Sequence, residues 1–294
     1  MTQQNTVAFI GLGQMGRPMS GHLAKAGYRI RAFDASQEQL STVAAETGAT
    51  ACASAAEAAQ GADMLITMLP DGRVVRQVLL DGGAAAALPR GAIVVDMSSS
   101  DPVGTRTLGE KLAAKGLTLI DAPVSGGVPR ARTAQLSIMA GGDAGAIERV
   151  KPILETMGNR IFLTGPLGSG HAMKALNNYL SAAGLVAACE ALAVGSAFGL
   201  DPAAMTDVLN ASTGKNNTTE VKVKQFMLSG AFNSGFSAGL MLKDLATAAA
   251  LAKAMKVEAP FAQECVARWE DMVGMLGMGA DHTEYFRLLE GGKR

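Results

Sequence analysis

Cysteine is scarce in this 294-residue chain: Cys52, Cys189 and Cys265 stand far apart and in no metal-ligand spacing. An odd, scattered set excludes a disulfide scaffold and reads as reduced core thiols of an intracellular protein. Net charge is absent too. The 26 basic residues balance the 26 acidic ones, so no surface field draws the chain to nucleic acid or a membrane. The N-terminal MTQQNTVAFIG has neither a basic n-region nor a long apolar h-region, which predicts a cytoplasmic protein without an export signal. No repeat and no linker rich in Pro, Ser or Gly interrupts the chain. The most apolar long stretch, Ala175 to Cys189, holds two asparagines and a tyrosine. It falls short of the roughly 18 to 20 residues of a membrane span and reads as a buried core helix.

What is present is apolar. Hydrophobic residues make up 48% and charged residues 18%, enough for a sizeable core in one large domain or two ordinary ones. In the first half, short runs rich in Val, Ile, Leu or Phe alternate with helical patterns. TVAFI (6–10), YRIRAF (28–33), DMLITML (63–69), AIVVD (92–96) and LTLIDA (117–122) read as strands. LSIMAGG and IFLTG extend the set. Strand and helix in alternation imply a doubly wound, mostly parallel Rossmann-type sheet. From Pro166 onward alanine, leucine and methionine dominate, and these are strong helix formers. The expected division is an α/β dinucleotide-binding domain over 1–165 and an all-α domain over 166–294, which would bind substrate and mediate oligomerisation.

GLGQMG, residues Gly11, Leu12, Gly13, Gln14, Met15 and Gly16, follows the first strand directly. Gly11 would permit a tight turn, Gly13 a close approach of backbone to pyrophosphate, and Gly16 close packing of helix on strand. The helix N-terminus would then meet the phosphates. Asp34 closes the second strand, where a carboxylate accepts hydrogen bonds from the adenine ribose. It would repel a 2′-phosphate, so NAD is expected over NADP. Arg31 points to the opposite preference but lies inside the strand, and Arg17 reads as a phosphate contact or a surface group. Cofactor contacts are also expected at later strand ends. Leu69 and Pro70 suit adenine or ribose, and Ser98, Ser99 and Ser100 suit the nicotinamide side. The competing role for the serines is to cap the following helix.

Lys174 and Asn178 lie four residues apart, on one face of a helix that is apolar nearly all round. A lysine there needs a partner, a wet cleft or a shifted pKa. Such a lysine removes a proton from an alcohol as hydride leaves, and its cation stabilises an oxyanion. Asn178 would orient the lysine or the substrate oxygen, with Asn177 a spare candidate. His22 and His282 are poorly placed for this work, while His171 is close enough to Lys174 to help.

Four motifs together resemble the β-hydroxyacid dehydrogenase family, which includes 3-hydroxyisobutyrate dehydrogenases and tartronate semialdehyde reductases. FIGLGQMGRPM resembles its cofactor signature and DAPVSGG (121–127) its substrate motif. GSGHAMKALNN resembles its catalytic signature, and LMLKDL its C-terminal closing motif. The resemblance implies Lys174 as acid/base with Asn178 beside it. It implies Ser125, Gly126 and Gly127 on the substrate carboxylate, Lys243 at the nicotinamide end and Ser99 near the cofactor. It also implies a C-terminal domain of the 6-phosphogluconate dehydrogenase type, a homodimer or homotetramer, no metal, and a small anionic hydroxy acid or semialdehyde as substrate. Pro129 and Arg130 depart from the pattern, as do Lys215, Asn216 and Asn217 at the substrate's far end. These departures point to a more polar or doubly anionic substrate, a hydroxylated acid or a sulfonate. An imine reductase and a non-catalytic scaffold are the alternatives. Members of either kind lack the lysine that this chain has.

Overall fold

The computed structural model describes residues 5–290, so the first four residues of the N-terminal reading lie outside it. The α/β part runs β1 (Thr6–Ile10), α1 (Gly16–Lys25), β2 (Arg29–Phe33), α2 (Gln37–Thr47), β3 (Thr50–Ala51), α3 (Ala55–Ala59), β4 (Met64–Thr67), α4 (Gly72–Arg76), α5 (Ala84–Ala87), β5 (Ile93–Asp96), α6 (Pro102–Ala113), β6 (Thr118–Asp121), β7 (Val124–Ser125), α7 (Gly127–Arg132), β8 (Leu136–Gly141), α8 (Ala144–Leu154) and β9 (Gly158–Gly165). Helices follow: α9 (Ser169–Phe198), α10 (Pro202–Ala211), a π-helical segment (Thr218–Met227), α11 (Ala238–Ala254), α12 (Pro260–Leu276) and α13 (Tyr285–Glu290).

The strands form one sheet in the order β3-β2-β1-β4-β5-β6-β8-β7, with β9 beside β8. β1 to β6 are all parallel, and β8 runs antiparallel to β6 and β7. Chain direction therefore reverses its march across the sheet at β1, which pairs with both β2 and β4. That switch point is where doubly wound sheets bind nucleotides. β4 and β5 are buried along their whole length, as parallel strands covered on both faces must be. Alternation sends Val7, Phe9, Ile66 and Val95 into one core with Met19 and Leu23 of α1. It sends Ala8, Ile10, Leu65 and Val94 into the other, with Leu108 and Leu112 of α6. β3 and β7, two residues each, were not legible in the sequence, because two residues carry no period.

By compactness the chain divides into two units at Lys174/Ala175, within α9. The second unit packs around Trp269, Leu185, Leu192, Met227, Leu245 and Phe286. α9 is not buried all round as expected. Met173, Leu176, Leu180, Val194 and Phe198 are 42% to 84% exposed and follow one another at helical spacing. The helix is also longer than the stretch that suggested it: its mean hydropathy reaches 1.6 over 18 residues, 44% of them buried. By length and composition it could cross a membrane, a test that core helices of soluble proteins also pass. All three cysteines are buried and none forms a disulfide among the described residues.

In the second unit Asp281 starts the last turns with a capping box closed by Glu284. Beside it His282 is 3% exposed. Its Nδ1 lies 2.9 Å from the Phe236 carbonyl oxygen, so Nδ1 carries the proton. Burial first, and the Lys222 charge second, depress its pKa to about 4. A histidine held neutral in this way adds stability above its unfolded pKa of about 6.5, and that stability is lost as pH falls towards 4. Denaturant unfolding at pH 7.5 and 5.0 should differ by about 2 kcal/mol from this group. His282→Phe should flatten the difference. An unchanged pH dependence in the variant would exclude His282 as its source.

Candidate active site

At the glycine turn each glycine meets different surroundings. Gly11 has φ +95°, and a Cβ there would overlap the Met68 carbonyl oxygen. A Cβ on Gly16 would overlap the Gly11 carbonyl oxygen. Both sites therefore exclude side chains for packing reasons. Gly13 has nothing within 4 Å of its would-be Cβ, and it is exposed. That open backbone leaves room for a phosphate group to approach. Asp34 Oδ2 accepts from the Leu12 amide at 2.6 Å, and Oδ1 accepts from Ser36 at 2.8 Å. The carboxylate thus braces the turn from the carboxyl end of β2, and its remaining lone pairs suit ribose hydroxyls.

Arg31, weighed against Asp34, and Arg17, the candidate phosphate contact, both have protein partners. Arg31 donates to the carbonyls of Glu57 (2.7 Å) and Ala58 (3.1 Å) in α3. Arg17 pairs with Glu46. This pair lines a cavity of about 780 Å³ beside α1 and α2, which Gly13, Gln14, His22 and Arg132 also border. Asp34, Pro70 and Ser99 do not line it.

At the end of β4, Leu69 is half-buried and Pro70 exposed. At the end of β5, Asp96 is buried. It accepts from Thr67 Oγ1 (2.9 Å), the Ser98 amide (3.0 Å) and Ser100 Oγ (2.7 Å). Ser98 Oγ accepts from the Leu69 amide at 2.9 Å. Ser98 and Ser100 are thus committed inside the protein. Ser99 is half-buried and remains the candidate for cofactor contact. The cap of α6 comes from Asp101, which accepts from Val103 and Gly104.

Asp121 heads the DAPVSGG stretch but serves α9. Fully buried, it accepts from the Gly168 and His171 amides, both at 2.7 Å. It thereby ties the carboxyl end of β6 to the first turn of α9, while burial pushes its pKa up. His171 is 1% exposed, with Nδ1 2.8 Å from Thr105 Oγ1, so it is sealed in the same network rather than open to substrate. The loop itself is open: Ser125 is half-buried, and Gly126 and Gly127 are exposed. Their φ angles of +126° and +64° demand glycine. Arg130 and Pro129 follow on the surface.

Lys174 is half-buried. One turn on, Asn178 is buried. It donates to Asp244 Oδ2 at 2.5 Å and accepts from Asn177 Nδ2 at 3.1 Å. Lys243 Nζ lies 3.3 Å from the other Asp244 oxygen. The second unit thus gathers Asn178, Asp244 and Lys243 around one buried carboxylate. Asp244 stands beside Lys243 in the LMLKDL motif, but its contact with Asn178 was not legible in the sequence. Lys215 is exposed and paired with Glu220 at 2.8 Å. Asn216 turns the chain by accepting from the Thr218 and Thr219 amides, and Asn217 is exposed. Among the described residues no group of three His, Cys, Asp or Glu could hold a metal.

Comparison with known proteins agrees with this architecture. Residues 6–165 match the NAD binding domain of 6-phosphogluconate dehydrogenase. Residues 168–289 match the NAD-binding of NADP-dependent 3-hydroxyisobutyrate dehydrogenase. The chain is 40% identical over 261 residues to a 3-hydroxyisobutyrate dehydrogenase of Pseudomonas aeruginosa, covering 86% of this chain and 87% of the relative. It is 36% identical over 261 residues to a 2-(hydroxymethyl)glutarate dehydrogenase of Eubacterium barkeri, covering 88% and 86%. A solved Mycobacterium tuberculosis 3-hydroxyisobutyrate dehydrogenase with L-serine superposes with a TM-score of 0.91 at 33% identity, covering 98% of this chain and 99% of that one.

Proposed function

The chain belongs to the β-hydroxyacid dehydrogenase family, and we propose that it interconverts a small β-hydroxy acid and its semialdehyde with Lys174 as the acid/base. A bound nicotinamide supplies the hydride acceptor or donor. Lys174 takes the hydroxyl proton during oxidation and returns it during reduction. Asn178 holds the reacting oxygen or the lysine in line. The observation that carries this reading is the Lys174–Asn178 pair, in which Asn178 is clamped by buried Asp244. The Ser125-Gly126-Gly127 amides take the substrate carboxylate, Lys243 stands at the nicotinamide end, and Gly11 to Gly16, Asp34, Leu69, Pro70 and Ser99 take the dinucleotide. An imine reductase or a scaffold that has lost catalysis is disfavoured by the presence of Lys174. The test is a panel of β-hydroxy acids and semialdehydes assayed with NAD and NADP side by side. Failure to turn over any of them would sink the reading.

NAD is the preferred cofactor in this reading. The engaged Arg31 and Arg17 leave Asp34 unopposed, and a carboxylate there repels a 2′-phosphate. Asp34→Ser, combined with Ser36→Arg, should shift the ratio of kcat/KM towards NADP by at least about tenfold. A parent enzyme that already favours NADP would refute the assignment. The exposed apolar stripe of α9 supports a homodimer or homotetramer, because a large apolar patch seeks a partner. The protein is proposed to act in the cytoplasm.

A further inference from the structure

Lys222 is the charged side chain that the reaction leaves unexplained. It is 8% exposed, and its ammonium donates to Ser181 Oγ at 3.3 Å. Among the described residues no carboxylate pairs with it. Asp281 attracts it from a distance, but the Asp281 oxygens already accept from Ser234, Gly235 and Thr283. A buried ammonium has three N–H groups to satisfy, and one neutral hydroxyl is a poor return for its desolvation. Burial accordingly lowers its pKa to about 8. Four residues earlier on the same π-helical segment, Thr218 is 1% exposed and its Oγ1 has no hydrogen-bond partner. π-Helical turns are rare and recur at functional sites. The segment is held against α9 by Asn216, whose Nδ2 donates to the Gly184 carbonyl at 3.4 Å.

Ser181 places this ammonium in register with the chemistry. On α9 it lies seven residues beyond Lys174 and three beyond Asn178. That is two turns along the same face, a rise of about 10 Å. We propose that Lys222 and Ser181 form a subsite for a second anionic group at the far end of the substrate, making a hydroxymethyl dicarboxylate a better substrate than the matching monocarboxylate. The inference rests on the reading that the hydroxy acid reacts at Lys174. Lys222 is a specificity residue here and does not touch the reacting atoms. A distal carboxylate gives the ammonium its counter-ion, whereas a three-carbon monocarboxylate leaves it without one.

The test uses three acids sharing one reacting end: 3-hydroxyisobutyrate, 2-(hydroxymethyl)succinate and 2-(hydroxymethyl)glutarate. The parent should favour at least one dicarboxylate in kcat/KM. Lys222→Met should lower that value by at least about tenfold, chiefly through KM, and change the monocarboxylate by less than about threefold. Lys222→Arg should restore part of the loss. Equal loss on all three acids means a structural lysine and overturns the proposal, as does a parent that favours the monocarboxylate. Calorimetric titration of glutarate, which has no hydroxyl to oxidise, into the NAD-loaded parent and Lys222→Met separates this subsite from the reaction itself. Weaker binding to the variant by about tenfold supports the subsite even if none of the acids is turned over. Equal binding overturns it.

Discussion

Lys174→Ala should retain its fold and its affinity for NAD while losing between about 10²- and 10⁴-fold in kcat, the range a positioned acid/base contributes. The lost cation adds to the deficit, because the developing alkoxide then has no charged partner. His171 offers no substitute. It is 1% exposed and bonded through Nδ1 to Thr105 of α6, so its ring is enclosed by the protein and not open to a substrate. Steady-state kinetics with cofactor titration as the control decide the matter. A turnover within about threefold of the parent would show that the proton moves by another route.

Neutralising the substrate's acid group should cost on the order of 10²-fold or more in kcat/KM. In the Ser125-Gly126-Gly127 stretch both glycines are exposed and have a backbone that only glycine adopts easily. Amides there can approach an anion without side chains between them. Each charge-assisted hydrogen bond is worth roughly 1.5 to 3 kcal/mol, and about 1.4 kcal/mol corresponds to a factor of ten. Two such bonds account for the stated loss. The same anchoring fixes the distance to Lys174, so a β-hydroxy acid should be a better substrate than its α-hydroxy isomer. The measurement compares the best acid with its methyl ester and with the simple alcohol. Equal turnover of the three would remove the loop from the anion site and the protein from hydroxy-acid chemistry, leaving the cofactor reading intact.

Much of this protein was determined by local sequence. The buried strands declare themselves through continuous apolar runs, because a parallel sheet covered on both faces has no polar side to interrupt them. The glycine turn and Asp34 are legible because they recur at fixed intervals on one strand–helix–strand unit, where Gly11 and Gly16 have no room for a side chain and Asp34 braces the turn. Lys174 is legible because a cation is conspicuous on an apolar helix. Tertiary structure alone decided which of the polar residues are spent on the protein itself. Asp121, Ser98, Ser100 and His171 were all credible site residues in one dimension. Folding encloses them in hydrogen bonds: Ser98 and Ser100 among the ends of β4 and β5, His171 against α6, and Asp121 between β6 and the start of α9. The reverse holds for Asp244 and Lys222. Each is one charged letter in a helical stretch, and only the packing of α11 and the π-helical segment against α9 buries them beside Asn178 and Ser181. Contacts across 41 and 66 residues of sequence leave no local signal, because the partner is chosen by how helices pack and not by spacing along the chain.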